Sequence, residues 1–97
     1  MARFRVSPRA QRDIAEITEF IMRDNPVRAL SFARELRAKI AEAAKSPMAY
    51  RERTEIRQGV RAAKHGHYLI FFRFEAGAVE ILRVWHSARD QGDLFQD

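Results

Sequence analysis

The sequence contains no cysteine among its 97 residues. This absence excludes a disulfide framework and a thiolate metal site, and a small domain of this kind fits a reducing cytosol, where we expect the protein to be. No apolar run approaches the roughly 20 residues that a membrane-spanning helix needs. The basic start of the chain is not followed by an apolar segment, so we expect neither a signal peptide nor a membrane anchor.

Motifs for the common catalytic and cofactor sites are missing as well. There is no glycine-rich phosphate loop and no G-x-S-x-G nucleophile motif, and the carboxylates are spread along the helices rather than paired. His65 and His67 flank a glycine, but two histidines without cysteine or acidic companions are a weak metal signal. We therefore expect no cofactor and no bound metal.

Positive charge, most of it from arginine, is what the sequence does have. It contains 18 Lys and Arg against 13 Asp and Glu, a net charge of +5, and only three of the basic residues are lysines. Four of the five net charges fall between Ile56 and Phe74, where no acidic residue occurs. A hydrophobic fraction of 46% indicates a folded chain, and the length indicates one domain over residues 1–97. The charge predicts an acidic partner.

The first half of the sequence predicts a strand followed by two helices. Residues Arg3–Val6 alternate charged and apolar side chains, as a half-buried strand does. Ser7-Pro8 and Asn25-Pro26 each place a capping side chain before a proline, which predicts two helix starts. Apolar residues follow at helical spacing from Ala10 to Ile21 and from Ala29 to Ala43. With almost no connection between them, the two helices must form an antiparallel hairpin.

The second half predicts three strands joined by short turns. We expect strands at Ile56–Ala62, Tyr68–Phe74 and Val79–His86, with turns at Lys64–His67 and Glu75–Ala78. The expected fold is α+β: an N-terminal strand and an antiparallel helical hairpin packed on one face of a mostly antiparallel β-sheet. The opposite face has no helix left to cover it, so we expect that face to be open and basic.

Three arginines of the charged stretch are candidate binding residues. Arg57, Arg61 and Arg73 would lie on the open face, either as a docking surface or as solvated charges that cover apolar neighbours. Arginine suits docking because its fork binds a carboxylate through two hydrogen bonds and its plane stacks on aromatic rings. The sequence alone leaves both alternatives open.

Arg83 and His86 lie on the last predicted strand. Arg83 stands in an apolar segment, so its charge needs either a ligand or an internal carboxylate such as Glu80 or Glu75. His86 at the strand end can act as a general acid or base in phosphodiester cleavage, or it can bond to the backbone. Trp85 is expected to pack in the core or at its edge.

Four short segments occur in a fixed order along the chain. They are the helix starts Ser7–Ala10 and Asn25-Pro26, the strand Gly66–Arg73 preceded by Arg61, and the closing segment Ile81–Asp90 with Arg83, His86 and Arg89. Because it contains these four segments in this order, the chain resembles toxins of the ParE/RelE superfamily of type II toxin–antitoxin systems. The resemblance is strongest to the ParE branch. The closing segment is the most specific of the four. The resemblance implies the same fold that the residue pattern predicts.

The resemblance implies a growth-inhibiting toxin that a cognate antitoxin silences in a toxin–antitoxin hetero-oligomer. ParE-like members poison DNA gyrase, whereas RelE-like members cleave mRNA on the ribosome. For the ribonuclease chemistry, Arg61 and Arg83 match the cationic positions and His86 matches an acid or base, but the C-terminal Tyr of many ribonuclease members is lacking. We therefore predict gyrase inhibition. The alternatives are an mRNA endoribonuclease and a non-toxic nucleic-acid-binding module.

The antitoxin implied by the resemblance is ParD-like, with an acidic, partly disordered C-terminal segment. We expect this segment to fold over the open sheet face, because the helices carry nearly balanced charge and the sheet does not. The residues predicted to bind the antitoxin or the target are Arg57, Arg61, Arg73, Arg83, Trp85, His86, Arg89 and Asp90.

Overall fold

The two helix-start signals act as the sequence predicts. In the computed structural model, which describes residues 3–96, Ser7 accepts a hydrogen bond from the Ala10 amide at 3.1 Å, and Asn25 accepts one from the Arg28 amide at 3.0 Å. A proline occupies the first position of each helix, where no amide donor is needed. The helices are α1, Pro8–Asp24, and α2, Pro26–Lys45. Among the described residues, neither helix is long and apolar enough to cross a membrane.

Within residues 3–96, four strands form one sheet. They are β1, Phe4–Val6; β2, Val60–His65; β3, Tyr68–Glu75; and β4, Ala78–His86. Their order across the sheet is β1-β4-β3-β2, with β1 parallel to β4 and the other neighbours antiparallel. The predicted α+β architecture is confirmed. Because β1 ends opposite Ile81, the edge of β4 beyond that residue faces α1.

The second strand begins later than the sequence predicts. The strand expected from Ile56 starts at Val60 instead. Gly59 adopts φ +84°, a left-handed conformation that glycine reaches without strain, and it turns the chain just before the strand. The turn predicted at Lys64–His67 is correspondingly shorter, because β2 continues until the two-residue turn Gly66-His67.

Each face of the sheet has its own core. The helix-side core joins both helices to inward-facing residues of β2, β3 and β4, and its largest members are Phe32, Leu36, Ile40, Ile70, Phe72 and Ile81. The tail-side core lies on the opposite face and comprises Val60, Phe71, Trp85 and Leu94, with Ile56, Leu69, Leu82 and Phe95 packed around them.

The prediction of an open sheet face is wrong. The segment that follows β4, residues 87–96, which we call the tail, lies against that face together with Ile56. Leu94 is 0% exposed there, and Phe95 packs beside it. These are the two apolar residues that make an otherwise polar tail bury itself, since covering the exposed aromatic and aliphatic side chains of the sheet is favourable.

An ion-pair network ties α2 to the end of β2. Glu35 lies 2.8 Å from an Arg28 nitrogen and 3.1 Å from Nε2 of His65. The hydrogen bond from the Arg28 guanidinium, with a smaller contribution from His65, holds the pKa of Glu35 below its usual value. The sequence spacing predicts a different partner, Lys39, which instead lies 3.7 Å from Glu42.

Candidate functional site

Arg83 lies in a buried ion pair with Asp13 of α1. Two of its nitrogens lie 2.8 and 2.9 Å from the two carboxylate oxygens, and each side chain is 11% exposed. The same carboxylate accepts the Val84 amide at 3.0 Å, on the edge of β4 that β1 does not cover. Arg83 also donates to the Leu94 carbonyl. This contact set, the Arg83–Asp13 clamp, joins α1, β4 and the tail through charged groups that are all hydrogen-bonded.

The sequence left open whether the charge of Arg83 is balanced by a ligand or by an internal carboxylate, and the clamp decides this. An internal carboxylate neutralises it, but that carboxylate is neither Glu80 nor Glu75, and Glu80 lies 2.9 Å from Arg5 instead. The i,i+4 spacing of Arg9 and Asp13 predicts an exposed helix pair, which is why Asp13 was not a candidate. The signal that could have found it is its position at the edge of the apolar stripe of α1.

Two guanidinium groups lie over the ring of Trp85. The guanidinium carbon of Arg83 is 4.8 Å from the ring centroid and that of Arg89 is 3.7 Å away. Trp85 is 2% exposed, and its Nε1 has no hydrogen-bond partner within the part of the chain that the structure describes. Arg89 is exposed, so its guanidinium is positioned by stacking while its N–H groups remain open to solvent.

His86 closes β4 next to this stack. Its Nδ1 accepts the Ala88 amide at 3.0 Å, so the neutral ring carries its proton on Nε2. The ring is nearly parallel to that of His67 at 5.9 Å and meets Tyr68 edge-on at 5.1 Å. Bonding to the backbone, one of the two predicted alternatives, is thus confirmed. In residues 3–96, histidines and carboxylates form no group of three that could hold a metal ion.

A pocket of about 400 Å³ opens between α1 and the end of β4. We call it the α1–β4 pocket; its lining residues are Asp13, Glu16, Ile17, Phe20, Tyr68, Val84, His86 and Arg89. Phe20 at the rim is 69% exposed. The pocket brings His86 and Arg89 together with apolar residues of α1, which the sequence analysis assigned only to the core.

The other arginines of the predicted open face have separate environments. Arg57 stacks on Phe95 of the tail, with 4.2 Å from its guanidinium carbon to the ring centroid. Arg73 lies 3.8 Å from Glu80 on the neighbouring strand. Arg73 is paired across strands with Val60 of the tail-side core, so both arginines lie on the tail side of the sheet.

Arg61 and Asp90 are held by contacts with the backbone. Arg61 donates to the Tyr50 carbonyl at 2.6 Å, and its side chain is 16% exposed. It pairs with Phe72, a residue of the helix-side core, and so it lies on the face opposite Arg57 and Arg73. Asp90 accepts the Gly92 amide at 2.8 Å and starts the short 3₁₀ turn of the tail.

The three residues that match ribonuclease positions do not converge. Arg61 lies opposite Phe72 on β3, whereas His86 lies opposite Tyr68 at the other end of the same strand. Four residues of strand separate those two positions, roughly 13 Å. Arg83 is directed to the other face and is neutralised in the clamp.

An apolar groove that the sequence analysis missed runs along the helical hairpin. We call it the hairpin groove; it has a volume of about 510 Å³ and is lined by Phe4, Val6, Gln11, Ile14, Ala33, Leu36, Arg37 and Ile40. Phe4 also borders an adjoining hollow of about 620 Å³, lined by Arg3, Ala41, Ala44, Lys45, Phe74 and Gly77. The signal for this surface is the apolar side chain at the start of β1, which stays 41% exposed.

Three cations border the hairpin groove and its hollow. They are Arg37 of the groove and Arg3 and Lys45 of the hollow. Within residues 3–96, no carboxylate forms an ion pair with any of them. An apolar floor with an unneutralised positive rim fits an acidic segment with apolar side chains.

A family model described as the ParE toxin of type II toxin–antitoxin system, parDE, matches residues 4–91. The chain belongs to this ParE toxin family. It is therefore the toxin component of a type II toxin–antitoxin system, within the ParE/RelE superfamily that the sequence resembles. The region matching ParE contains every predicted site residue and ends before Leu94 and Phe95, which complete the tail-side core.

Solved structures support the ParE fold. A chain of the chromosomal ParDE toxin–antitoxin system from P. aeruginosa superposes with a TM-score of 0.76 at 18% identity, covering 89% of this chain and 96% of the other. A chain of the RelBE2 toxin–antitoxin complex from Mycobacterium tuberculosis gives a TM-score of 0.54 at 22% identity, covering 88% and 96%. No curated protein matched the sequence.

Proposed function

We propose that this ParE-family toxin arrests growth by inhibiting DNA gyrase and does not cleave RNA. The observation that supports this most directly is the dispersal of Arg61, Arg83 and His86. General acid–base catalysis needs its groups within hydrogen-bond reach of one reacting centre. Here roughly 13 Å of strand separates two of the groups, and the third is neutralised by Asp13. A toxin that acts by binding needs no such convergence.

The partner we propose is a cognate ParD-like antitoxin whose acidic C-terminal segment occupies the hairpin groove. The tail-side face, where the sequence placed this segment, is covered by the toxin's own tail. The groove instead combines an apolar floor with Arg3, Arg37 and Lys45, which have no ion-pair partner in residues 3–96. An acidic segment that is disordered alone would fold into it as an amphipathic element.

The target is tested by expressing the toxin from an inducible promoter with and without the antitoxin. We expect growth arrest, a DNA-damage response and intact transcripts, and we expect purified toxin to inhibit supercoiling by purified gyrase. Co-expression of the antitoxin restores growth. Unaffected gyrase would refute the proposal, and ribosome-dependent cleavage of transcripts would replace it with the RelE-like alternative.

The antitoxin site is tested by reversing charge at the groove. The double variant Arg37→Glu, Lys45→Glu should need at least tenfold more antitoxin for neutralisation, because two attractive charge contacts become repulsive. Arg34→Glu, an exposed change on the same helix but outside the groove lining, is the matched control. Equal neutralisation of both variants would place the antitoxin elsewhere.

A further inference from the structure

Arg89 is held in position without being neutralised. Its guanidinium lies 3.7 Å from the centroid of the Trp85 ring, and Trp85 is itself fixed in the tail-side core. No carboxylate among residues 3–96 forms an ion pair with Arg89. A stacked guanidinium has its plane fixed and its N–H fork free, which is the arrangement that binds a carboxylate through two hydrogen bonds.

The α1–β4 pocket supplies a second donor and an apolar surface beside Arg89. His86 presents Nε2–H, because its Nδ1 is occupied by the Ala88 amide. Ile17 and Val84 line the interior, and Phe20 stands 69% exposed at the rim. Burying this ring against a partner would remove a large apolar side chain from water.

The charges of the pocket favour a protein segment over a nucleic acid. Glu16 lines the same pocket as Arg89, and the charge of Asp13 is already balanced by Arg83, so the pocket has no excess of positive charge. Nucleic acids bind through several cations that neutralise successive phosphates. One carboxylate, in contrast, needs only the fork of Arg89, and an adjacent apolar side chain can rest on Phe20.

We propose that the α1–β4 pocket is the surface through which this toxin contacts its target protein. A segment of the target places a carboxylate on Arg89 and His86 and an apolar side chain against Phe20. This inference rests on the proposed function in one respect, that the toxin acts by binding a protein. It assigns the target, and not the antitoxin, to this pocket.

α1 lies between the hairpin groove and the α1–β4 pocket and contributes residues to both. Gln11 and Ile14 face the hairpin groove, whereas Glu16 and Ile17 face the α1–β4 pocket. The groove and its hollow have the larger volume and three cations without an ion-pair partner in residues 3–96, so they suit the acidic antitoxin better. A single helix about 10 Å wide lies between the two surfaces, and a bound antitoxin therefore blocks a large target by its bulk while contacting different residues.

Two pocket variants and one control test this assignment. Arg89→Glu reverses the charge at the proposed carboxylate contact, and Phe20→Ser removes an exposed ring that the fold does not need. Arg12→Glu changes an exposed residue of α1 outside the pocket lining. Each purified variant is compared with wild type in growth arrest, gyrase supercoiling, antitoxin affinity and thermal unfolding.

We expect both pocket variants to need at least tenfold more protein for growth arrest and gyrase inhibition, with antitoxin affinity within about twofold of wild type. Arg12→Glu should behave as wild type. Full potency of both Arg89→Glu and Phe20→Ser would overturn the assignment, as would a loss of antitoxin affinity equal to the loss of potency. If wild type arrests growth without affecting gyrase and the pocket variants relieve that arrest, the pocket assignment stands and the gyrase proposal fails.

Discussion

The two faces of the sheet are covered in different ways. On one face, two long helices bury aliphatic and aromatic side chains such as Leu36 and Ile40. On the other, a tail with a single 3₁₀ turn buries Leu94 and packs the partly buried Phe95 beside it. Arginines hold the tail in place: Arg83 bonds the Leu94 carbonyl, Arg57 stacks on Phe95, and Arg9 donates to the Gln96 carbonyl at 2.6 Å.

This difference shows how a small chain covers a second face without a third helix. Apolar area stabilises the helix-side cover, and the gain grows with the surface removed from water. The tail has too little apolar area for that, so directed contacts from charged side chains add to it. The arginines that the sequence suggested for a partner are thus used in part within the chain itself. The substitutions below test this contrast, in order from the largest expected effect to the smallest.

Asp13→Ala should be the most damaging substitution. It leaves the Arg83 guanidinium buried without its carboxylate and the Val84 amide without its acceptor, at a cost of about 3–5 kcal/mol. For a domain of about 5–10 kcal/mol total stability, this brings the folded state near its limit. Urea unfolding followed by circular dichroism measures the loss.

A double variant separates the unpaired charge from the pair itself. Asp13→Leu with Arg83→Met removes both charges, and it should cost clearly less than Asp13→Ala, because no ion is left buried alone. Glu16→Ala, an exposed change on the same helix, is the control. If Asp13→Ala lowers the free energy of unfolding by less than about 1 kcal/mol, the clamp contributes little to stability. Charged contacts would then not be what holds the tail-side cover in place.

Leucine truncation compares the two covers directly. Leu36 and Leu94 are 1% and 0% exposed, and each Leu→Ala change should cost about 2–5 kcal/mol. We expect Leu36→Ala at the upper end, because its neighbours belong to rigid helices and strands and cannot close the cavity. Leu94→Ala should fall at the lower end, since the tail can detach. Hydrogen exchange should then accelerate in residues 87–96 alone; acceleration throughout the sheet would contradict separate covers.

The smallest expected effect is a loss of stability at low pH. The Arg28 guanidinium lowers the pKa of Glu35 below its usual value of 4.5, so the folded chain releases this proton more readily than the unfolded chain. The resulting stabilisation is present above that usual value and is lost as the pH falls through the lower, folded-state pKa. Glu35→Gln should therefore be less stable than wild type at neutral pH and approach it below about pH 4. An unchanged difference at both pH values would rule this out.

Local signals predicted most of the fold. The Ser-Pro and Asn-Pro starts, the apolar periods and the order of the elements along the chain were readable, because each depends on neighbours in the sequence. The cover of the second face was not, because it depends on Leu94 returning to Trp85 and Phe71 across the sheet. The partner of Arg83 was missed for the same reason, since 70 residues separate it from Asp13 along the chain.

The candidate site was likewise predictable only in part from the sequence. The closing motif pointed to His86 and Arg89, and both reach the α1–β4 pocket. The apolar half of that pocket was invisible in the sequence, because Ile17 and Phe20 continue the stripe that predicts a helix core. The hairpin groove was missed because it exists only once β1 lies beside the helices.

The pairing of β1 with β4 at the edge of the sheet has a consequence for synthesis. β1 is synthesised before the other strands, but its hydrogen-bonding partner is β4, which is synthesised after them. Likewise, Asp13 of α1 can form its ion pair only after Arg83 has been synthesised. Helices can form as soon as they leave the ribosome, but neither the sheet edge nor the clamp can close until β4 has emerged. During translation the α1–β4 pocket therefore stays incomplete until β4 and Arg89 have been synthesised, and the target contact proposed for it can form only after that.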